Sequence, residues 1–297
     1  MQQEEINLET LTGNKDINIG YADSDIVIVD SIQKLAEIGA AHVAMSAIAL
    51  CTSGRIQGLM NGQPLELRRG QVAVFPPNVV ISDLMSSPDL ELKAMFFTYS
   101  ILQSFLREKI SVWNEMMYIR KLHILTLEDD EDIEFYTHFY DIFRLSISRG
   151  VSSPYSTDIT QSLMRAVVLG VCGVMKQQFS TTDDSQSMMM AGTHFRRFLD
   201  LLHSSEVKHR TVEYYASQLF ITPKYLSAIC KKNSGKTANE WIREHVMEDI
   251  RYYLTSTDYS VKQISDRLGF PNPSFFGKYV REHFGVTPGQ FRRKTKE

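Results

Sequence analysis

The sequence predicts an α+β protein: a strand-rich N-terminal part with helices appended, followed by an all-α C-terminal part. Three observations carry that class. Between residues 26 and 99, short apolar or alternating runs are separated by turn residues, the pattern of a β-sandwich or barrel. From Ser100 the apolar period changes to that of helices. Between Thr211 and Arg293 one pattern occurs twice, and a period of that kind speaks to architecture as composition cannot. The chain has 297 residues, enough for two domains of ordinary size, and its 43% hydrophobic content can fill a core in each.

Residues 1–25 are polar and are expected as a loosely held lead-in. Strands are then predicted at Ile26–Val29, Val43–Cys51, Gly54–Met60, Leu65–Leu67, Gln71–Phe75, Val79–Leu84 and Leu90–Tyr99. Asn61-Gly62 is a two-residue hairpin signal, because both residues accept positive φ. Pro76-Pro77 ends a strand, since proline lacks the N–H that a ladder needs.

Helical spacing begins with Ile101, Leu102, Phe105 and Leu106, and a second short helix is predicted from Trp113 to Tyr118. A longer one spans Asp130–Arg149 with Ile133, Tyr136, Phe139, Tyr140, Phe143 and Ile147 on one side. The acidic run Glu128–Asp132 precedes it, where the helix dipole favours negative charge. Gly150 and Ser152-Ser153-Pro154 interrupt. The next helix, Ser156–Phe179, carries Ile159, Leu163, Ala166, Val167, Gly170, Val171 and Val174. Its small residues permit close helix approach, either within the domain or in a homodimer. Leu163, Val167, Gly170 and Val174 are the dimer candidates. Residues 181–191 are polar and aperiodic at their start and are expected as a linker, with His194–His203 the first helix beyond it.

The repeat follows. Val212, Leu219, Leu226, Ile229, Gly235, Thr237 and Trp241 correspond to Val261, Leu268, Phe276, Tyr279, Gly285, Thr287 and Phe291. The second copy has one extra residue in its turn. Each copy is two short helices around a tight turn: Thr211 and Thr222 cap the first pair, with Pro223 at a position where its missing N–H costs nothing. Ser260 and Asn272-Pro273 do the same in the second, where Phe275, Phe276, Tyr279 and Val280 are expected to pack. Gly235 and Gly285 stop the second helices. This is helix-turn-helix grammar, expected over 211–234 and 260–284, with a core of Leu219, Leu226, Ile229, Leu268, Phe276 and Tyr279. Between the copies, the helix from Ala238 to about Thr255 packs through Trp241, Ile242, His245, Ile250 and Leu254. It is about 27 Å long, against about 34 Å for one turn of DNA.

Charge is divided unevenly. From Ala191 onward there are 18 Lys and Arg against 11 Asp and Glu, net +7, while the remainder is net −10. Attraction to phosphates requires such a basic part. Cys51, Cys172 and Cys230 lie far apart without a CxxC and are expected as buried thiols of a reducing cytosol. No run of 18 apolar residues and no signal peptide is seen, so a cytoplasmic protein without a membrane span is expected. His42 is the only histidine before His123, whereas a metal site needs three or four convergent ligands, so neither metal nor cofactor is expected.

Two resemblances then enter. Ile264-Ser265-Asp266-Arg267-Leu268-Gly269-Phe270, Phe276 and Phe284-Gly285-Val286-Thr287-Pro288-Gly289-Gln290-Phe291-Arg292 resemble the DNA-binding domain of the AraC/XylS transcription regulators, over about Thr193–Arg293. The passage from Gly58 to Pro77 is similar to the cupin-like jelly roll found at the N-terminus of many of them, without the histidines of metal cupins. The resemblance implies a sensing and dimerisation domain at 1–180, a linker at 181–191 and a DNA-binding domain at 192–297. It implies base contacts from Lys224, Ser227, Ser274 and Lys278, and phosphate contacts are expected from Lys231, Lys232 and Arg281 further along the same helices. Ala228 and Gly277 stand where polar or basic residues are common, which shifts weight to phosphates and DNA shape. Implied partners are double-stranded DNA, RNA polymerase, a second copy of the chain and a small-molecule effector. The alternatives are a protein partner in place of the effector, or an enzyme. Three scattered cysteines argue against a zinc-bound alkyl-transfer domain, and the motifs GxSxG, P-loop and GxGxxG are absent.

Overall fold

The computed structural model describes residues 4–6, 18–22, 25–31, 40–106, 110–119, 123–148, 156–181, 189–204 and 210–296. They divide into two compact units, Met1–Asp183 and Asp184–Glu297. The breaks expected at Gly150 and at 152–154 lie outside the described residues, as does most of the expected linker. Thr181 belongs to the helix before that linker and Met189 to the helix after it.

The strands of the first unit are β1 (Glu4–Ile6), β2 (Asn18–Ala22), β3 (Ile26–Ser31), β4 (Ala40–Val43), β5 (Ser46–Ser53), β6 (Arg55–Met60), β7 (Gln63–Arg68), β8 (Gln71–Phe75), β9 (Val79–Ser86), β10 (Glu91–Phe97) and β11 (Ile124–Thr126). One sheet has the order β1-β4-β9-β6-β7, the other β11-β8-β5-β10-β3-β2. The sheets share one hydrophobic cluster, in which Val27, Ala47, Cys51, Ala94 and Phe96 of the second are joined by Val43, Ile56, Met60, Leu67 and Ile81 of the first. The remaining sides of β5, β8 and β10 are also buried, at Ile48, Leu50, Val72 and Met95. That explains why β5 is apolar nearly throughout rather than alternating.

Helices cover this second face: α1 (Tyr99–Phe105), α2 (Ile110–Asn114), which runs on as a wider π turn over Glu115–Ile119, α3 (Asp130–Ser148) and α4 (Ser156–Thr181). Tyr140 of α3 donates to the Val29 carbonyl at 3.1 Å. The Lys93 ammonium on β10 meets Asp141 at 2.7 Å. Between sheet and helices lies a small, partly open apolar cavity of about 30 Å³, lined among others by Leu50, Met95, Tyr136 and Val171. On the outer face of the five-stranded sheet, Gln57, Leu59, Pro64, Glu66, Asp83 and Met85 line an open groove of about 470 Å³.

Several expectations are corrected here. The single strand predicted over Val43–Cys51 is two, because the chain crosses between sheets at Ala44-Met45, and an apolar run buried on both sides gives no sign of that. The polar lead-in supplies β1 and β2, edge strands held by backbone pairing to β4 and β3. Tyr99 starts α1 instead of ending a strand. On α4, Ile159 and Ala166 are exposed, while Met164, Val168 and Met175 are buried in their place. Three of the four dimer candidates are engaged inside the unit. Val167 and Val174 line the apolar cavity, and a Cβ on Gly170 would come within 3.3 Å of the Tyr136 ring. Leu163 is half-buried. Residues Asp158–Gln178 of α4 are, by length and composition alone, apolar enough to cross a membrane, and their inner residues belong to this unit's core.

Cys51, Cys172 and Cys230 are free and buried. Burial pushes the Cys51 thiol up to about 11 and the other two up to about 12, so all three are inert near neutrality. Among the described residues no cluster of His, Cys, Asp or Glu is grouped to hold a metal.

Candidate nucleic-acid interface

The second unit contains α5 (Met189–Ser204), α6 (Val212–Gln218), α7 (Pro223–Ser234), α8 (Ala238–Ser256), α9 (Val261–Arg267), α10 (Pro273–Phe284) and α11 (Pro288–Lys296). The duplicated sequence folds into duplicated geometry. In copy one, Thr222 accepts the Tyr225 N–H at 3.2 Å, Pro223 opens α7 and Gly235 closes it in the left-handed region at φ 73°. In copy two, Asn272 accepts the Phe275 N–H at 3.0 Å, Pro273 opens α10 and Gly285 closes it at φ 71°. Caps of this kind satisfy amides that the helix itself leaves unpaired. Thr211, expected to cap α6, makes no side-chain cap.

The tight turns also correspond. The Ile221 N–H donates to Ala216 at 3.0 Å and the Phe270 N–H to Ser265 at 2.9 Å. Each turn needs one left-handed residue. Copy two uses Gly269 at φ 64°, whereas copy one uses Phe220 at φ 57°. Arg210 fastens the second turn, donating to the Leu268 and Gly269 carbonyls at 3.2 and 2.9 Å while lying 4.1 Å over the Phe270 ring. It precedes the repeat, and the repeat therefore gave no sign of it.

Helix α8 is the shared support. Trp241, Ile242, His245, Val246, Ile250 and Leu254 are all buried along it. Trp241 donates to Ser234 at the end of α7 at 2.7 Å and stacks edge-on with Phe195 of α5. Lys236, also buried, reaches Glu244 at 2.8 Å. At the other end, Arg292 of α11 donates to the Leu254 carbonyl at 3.0 Å. Thr237 and Glu240 form a reciprocal capping box at the start of α8, and hydrogen bonds from Thr237 hold the Glu240 carboxyl below its ordinary value.

With this support in place, α7 and α10 each turn one face to solvent. Leu219, Leu226, Ile229, Leu268 and Phe276 are buried as expected; Tyr279 is only half-buried, sandwiched between Phe270 and His283. Lys224, Lys231 and Lys232 are exposed on α7, with Ser227 half-buried beside them. Ser274, Lys278 and Arg281 are exposed on α10. One expectation fails outright: Phe275 does not pack but is 60% exposed. Its counterpart Tyr225 is 54% exposed, and Phe220 in the first turn is 95% exposed. The helical phase carried the signal, since Phe276 and Val280 already occupy the inner face of α10 and a residue next to Phe276 must look elsewhere.

The class that this fold and surface define is a pair of helix-turn-helices on one scaffold. Residues 215–294 match the model of the family described as "Helix-turn-helix domain". The chain is similar to the regulatory protein PocR of Salmonella typhimurium, 32% identical over 101 residues, 34% of this chain and 32% of that one. It is also similar to the lactose operon transcription activator of Staphylococcus xylosus, 24% identical over 172 residues, 57% of this chain and 58% of that one. The chain thus covers less than two thirds of either relative. Among solved structures, the C-terminal domain of AraT, a response regulator from Geobacillus stearothermophilus, is 26% identical at a TM-score of 0.31, over 34% of this chain and 84% of that one. Residues 215–294 are an AraC-type helix-turn-helix domain, and the two relatives carry the names of a regulatory protein and a transcription activator.

Proposed function

We propose that the chain is a cytoplasmic, sequence-specific transcription activator that lays α7 and α10 into successive major grooves of double-stranded DNA. The observation that carries this is the duplication: two helices with matching caps and stops, each with an exposed basic face, joined to one buried rod. Lys224, Ser227, Ser274 and Lys278 are the proposed base readers; Lys231, Lys232 and Arg281 neutralise phosphates. Activation runs through contact with RNA polymerase, in keeping with the name of the lactose operon relative.

The first unit is the sensing and dimerisation part, a cupin-like jelly roll. Supporting that is the strand order: β3 to β10 cross between β8-β5-β10-β3 and β4-β9-β6-β7 at every step except the β6–β7 hairpin, the double Greek key of eight strands. The open groove of about 470 Å³ falls in the size range of small-molecule sites, and the apolar cavity of about 30 Å³ is far below it. A small metabolite raising the melting temperature of the protein supports sensing; a library that leaves it unmoved favours a protein partner.

The deciding experiment is selection from random duplexes with the full chain, then a salt titration on the best sequence. Enrichment of a site of about 20 base pairs with two submotifs one turn apart is expected, with affinity falling steeply as salt rises. Absence of any enriched sequence refutes the reading.

A further inference from the structure

Tyr225 and Phe275 are not accounted for by the basic face. Both are large, and both leave more than half of their surface in water, at 54% and 60%. They occupy the same place in the two copies: each is the residue whose amide is held by the capping side chain, Thr222 or Asn272, on the first turn of α7 and α10. Apolar surface left in water gives up the stabilisation that burial would supply, and doing so twice in the same register gives the folded chain alone no benefit. The surroundings are cationic. Lys224 precedes Tyr225, and Ala228 and Lys232 follow it along one helix face; Ser274 precedes Phe275, and Lys278 shares its face one turn on. Tyr225 is steadied by an edge-on contact with His194 of α5, ring centroids 6.3 Å apart. An aromatic ring beside a lysine at the leading end of a groove-entering helix matches one feature of the major groove, the C5-methyl group of thymine.

We propose that Tyr225 and Phe275 each read a thymine methyl, one in each half of a bipartite site, and that the two copies thereby select thymine next to the positions their lysines contact. This rests on the DNA-binding function proposed above. It supplies a specificity that the small side chains Ala228 and Gly277 leave open, and Ala228, on the Tyr225 face, adds to the same apolar contact.

The test replaces each thymine of the selected duplex by deoxyuridine, which removes the methyl and leaves base pairing intact, and measures binding of the full chain. One or two positions in each half are expected to weaken binding about fourfold, the equivalent of one buried methyl. Phe275→Ala is expected to abolish that sensitivity in one half only, Tyr225→Ala in the other, while Phe275→Leu retains part of it. Both side chains are mostly exposed, so the variants keep the fold, and the scan on the unaltered protein needs no variant. Specific, salt-dependent binding that is indifferent to every thymine-to-uridine change overturns the proposal and leaves the regulator reading standing. Sensitivity that persists in both alanine variants overturns the assignment to these residues. Failure to select any duplex sinks the regulator reading, and this proposal with it.

Discussion

Residue by residue, the two copies differ where each has a local fault that the other lacks. Phe220 takes a left-handed conformation that a β-carbon makes costly, where copy two has Gly269. Ser265 buries a hydroxyl that finds no partner among the described residues, where copy one has Ala216. Exchanging each for its counterpart is expected to stabilise the protein. Phe220→Gly and Ser265→Ala should each raise unfolding free energy by about 1 kcal/mol, and the gains should add, since the residues lie in different turns. Urea titration of the single and double variants checks this, and a loss from either would show that the side chain has a native contact. The repeat was legible because buried residues and caps recur at fixed spacing. Phe275 is apolar by type, but helical phase turns it away from the inner face that Phe276 and Val280 fill. Phe220's own type gives no sign of its positive φ; only its alignment with Gly269 in copy two points to it.

Among the elements, capping explains why short helices start and stop where they do. Thr237 with Glu240, Ser260 with Gln263 and Thr287 with Gln290 each close a reciprocal box. Only Glu240 titrates. Its folded-state value is lowered, chiefly by the backbone hydrogen bond from Thr237, so its contribution is present above the unfolded value and is lost as pH falls through the folded one. Glu240→Gln, which copies the neutral boxes, is therefore expected to flatten the dependence of stability on pH below about 4.5, lowering stability at pH 7 and converging with the unaltered protein at low pH. Melting curves between pH 3 and 7 measure it, and parallel pH dependence in both proteins would contradict the assignment. Helix ends were readable because caps are written in single residues. Strand edges were not: β1, β2 and β11 pair through backbone groups that carry no side-chain signature. The crossing from β4 to β5 was hidden for a different reason, since a strand covered on both faces loses its alternation.

On the scale of the whole molecule, the two units solve different burial problems. The first covers one sheet twice, with a second sheet on one side and helices on the other, which is why α4 combines the hydropathy of a membrane span with a core helix's inner face. The second unit depends on one rod. Because α8 is anchored at its start to α7 through Trp241 and Ser234, and at its end to α11 through Arg292, turning about the rod axis breaks hydrogen bonds at both ends of the rod. On the proposed reading that makes the protein a gauge of helical phase. Five base pairs inserted between the two half-sites carry the second to the far side of the duplex, and bound lifetime should fall to that of a single half-site. Ten restore the phase but exceed the reach of the rod, so they should rescue nothing. Competition binding with the two spaced duplexes distinguishes such a stiff gauge from two independently tethered readers, which would tolerate both.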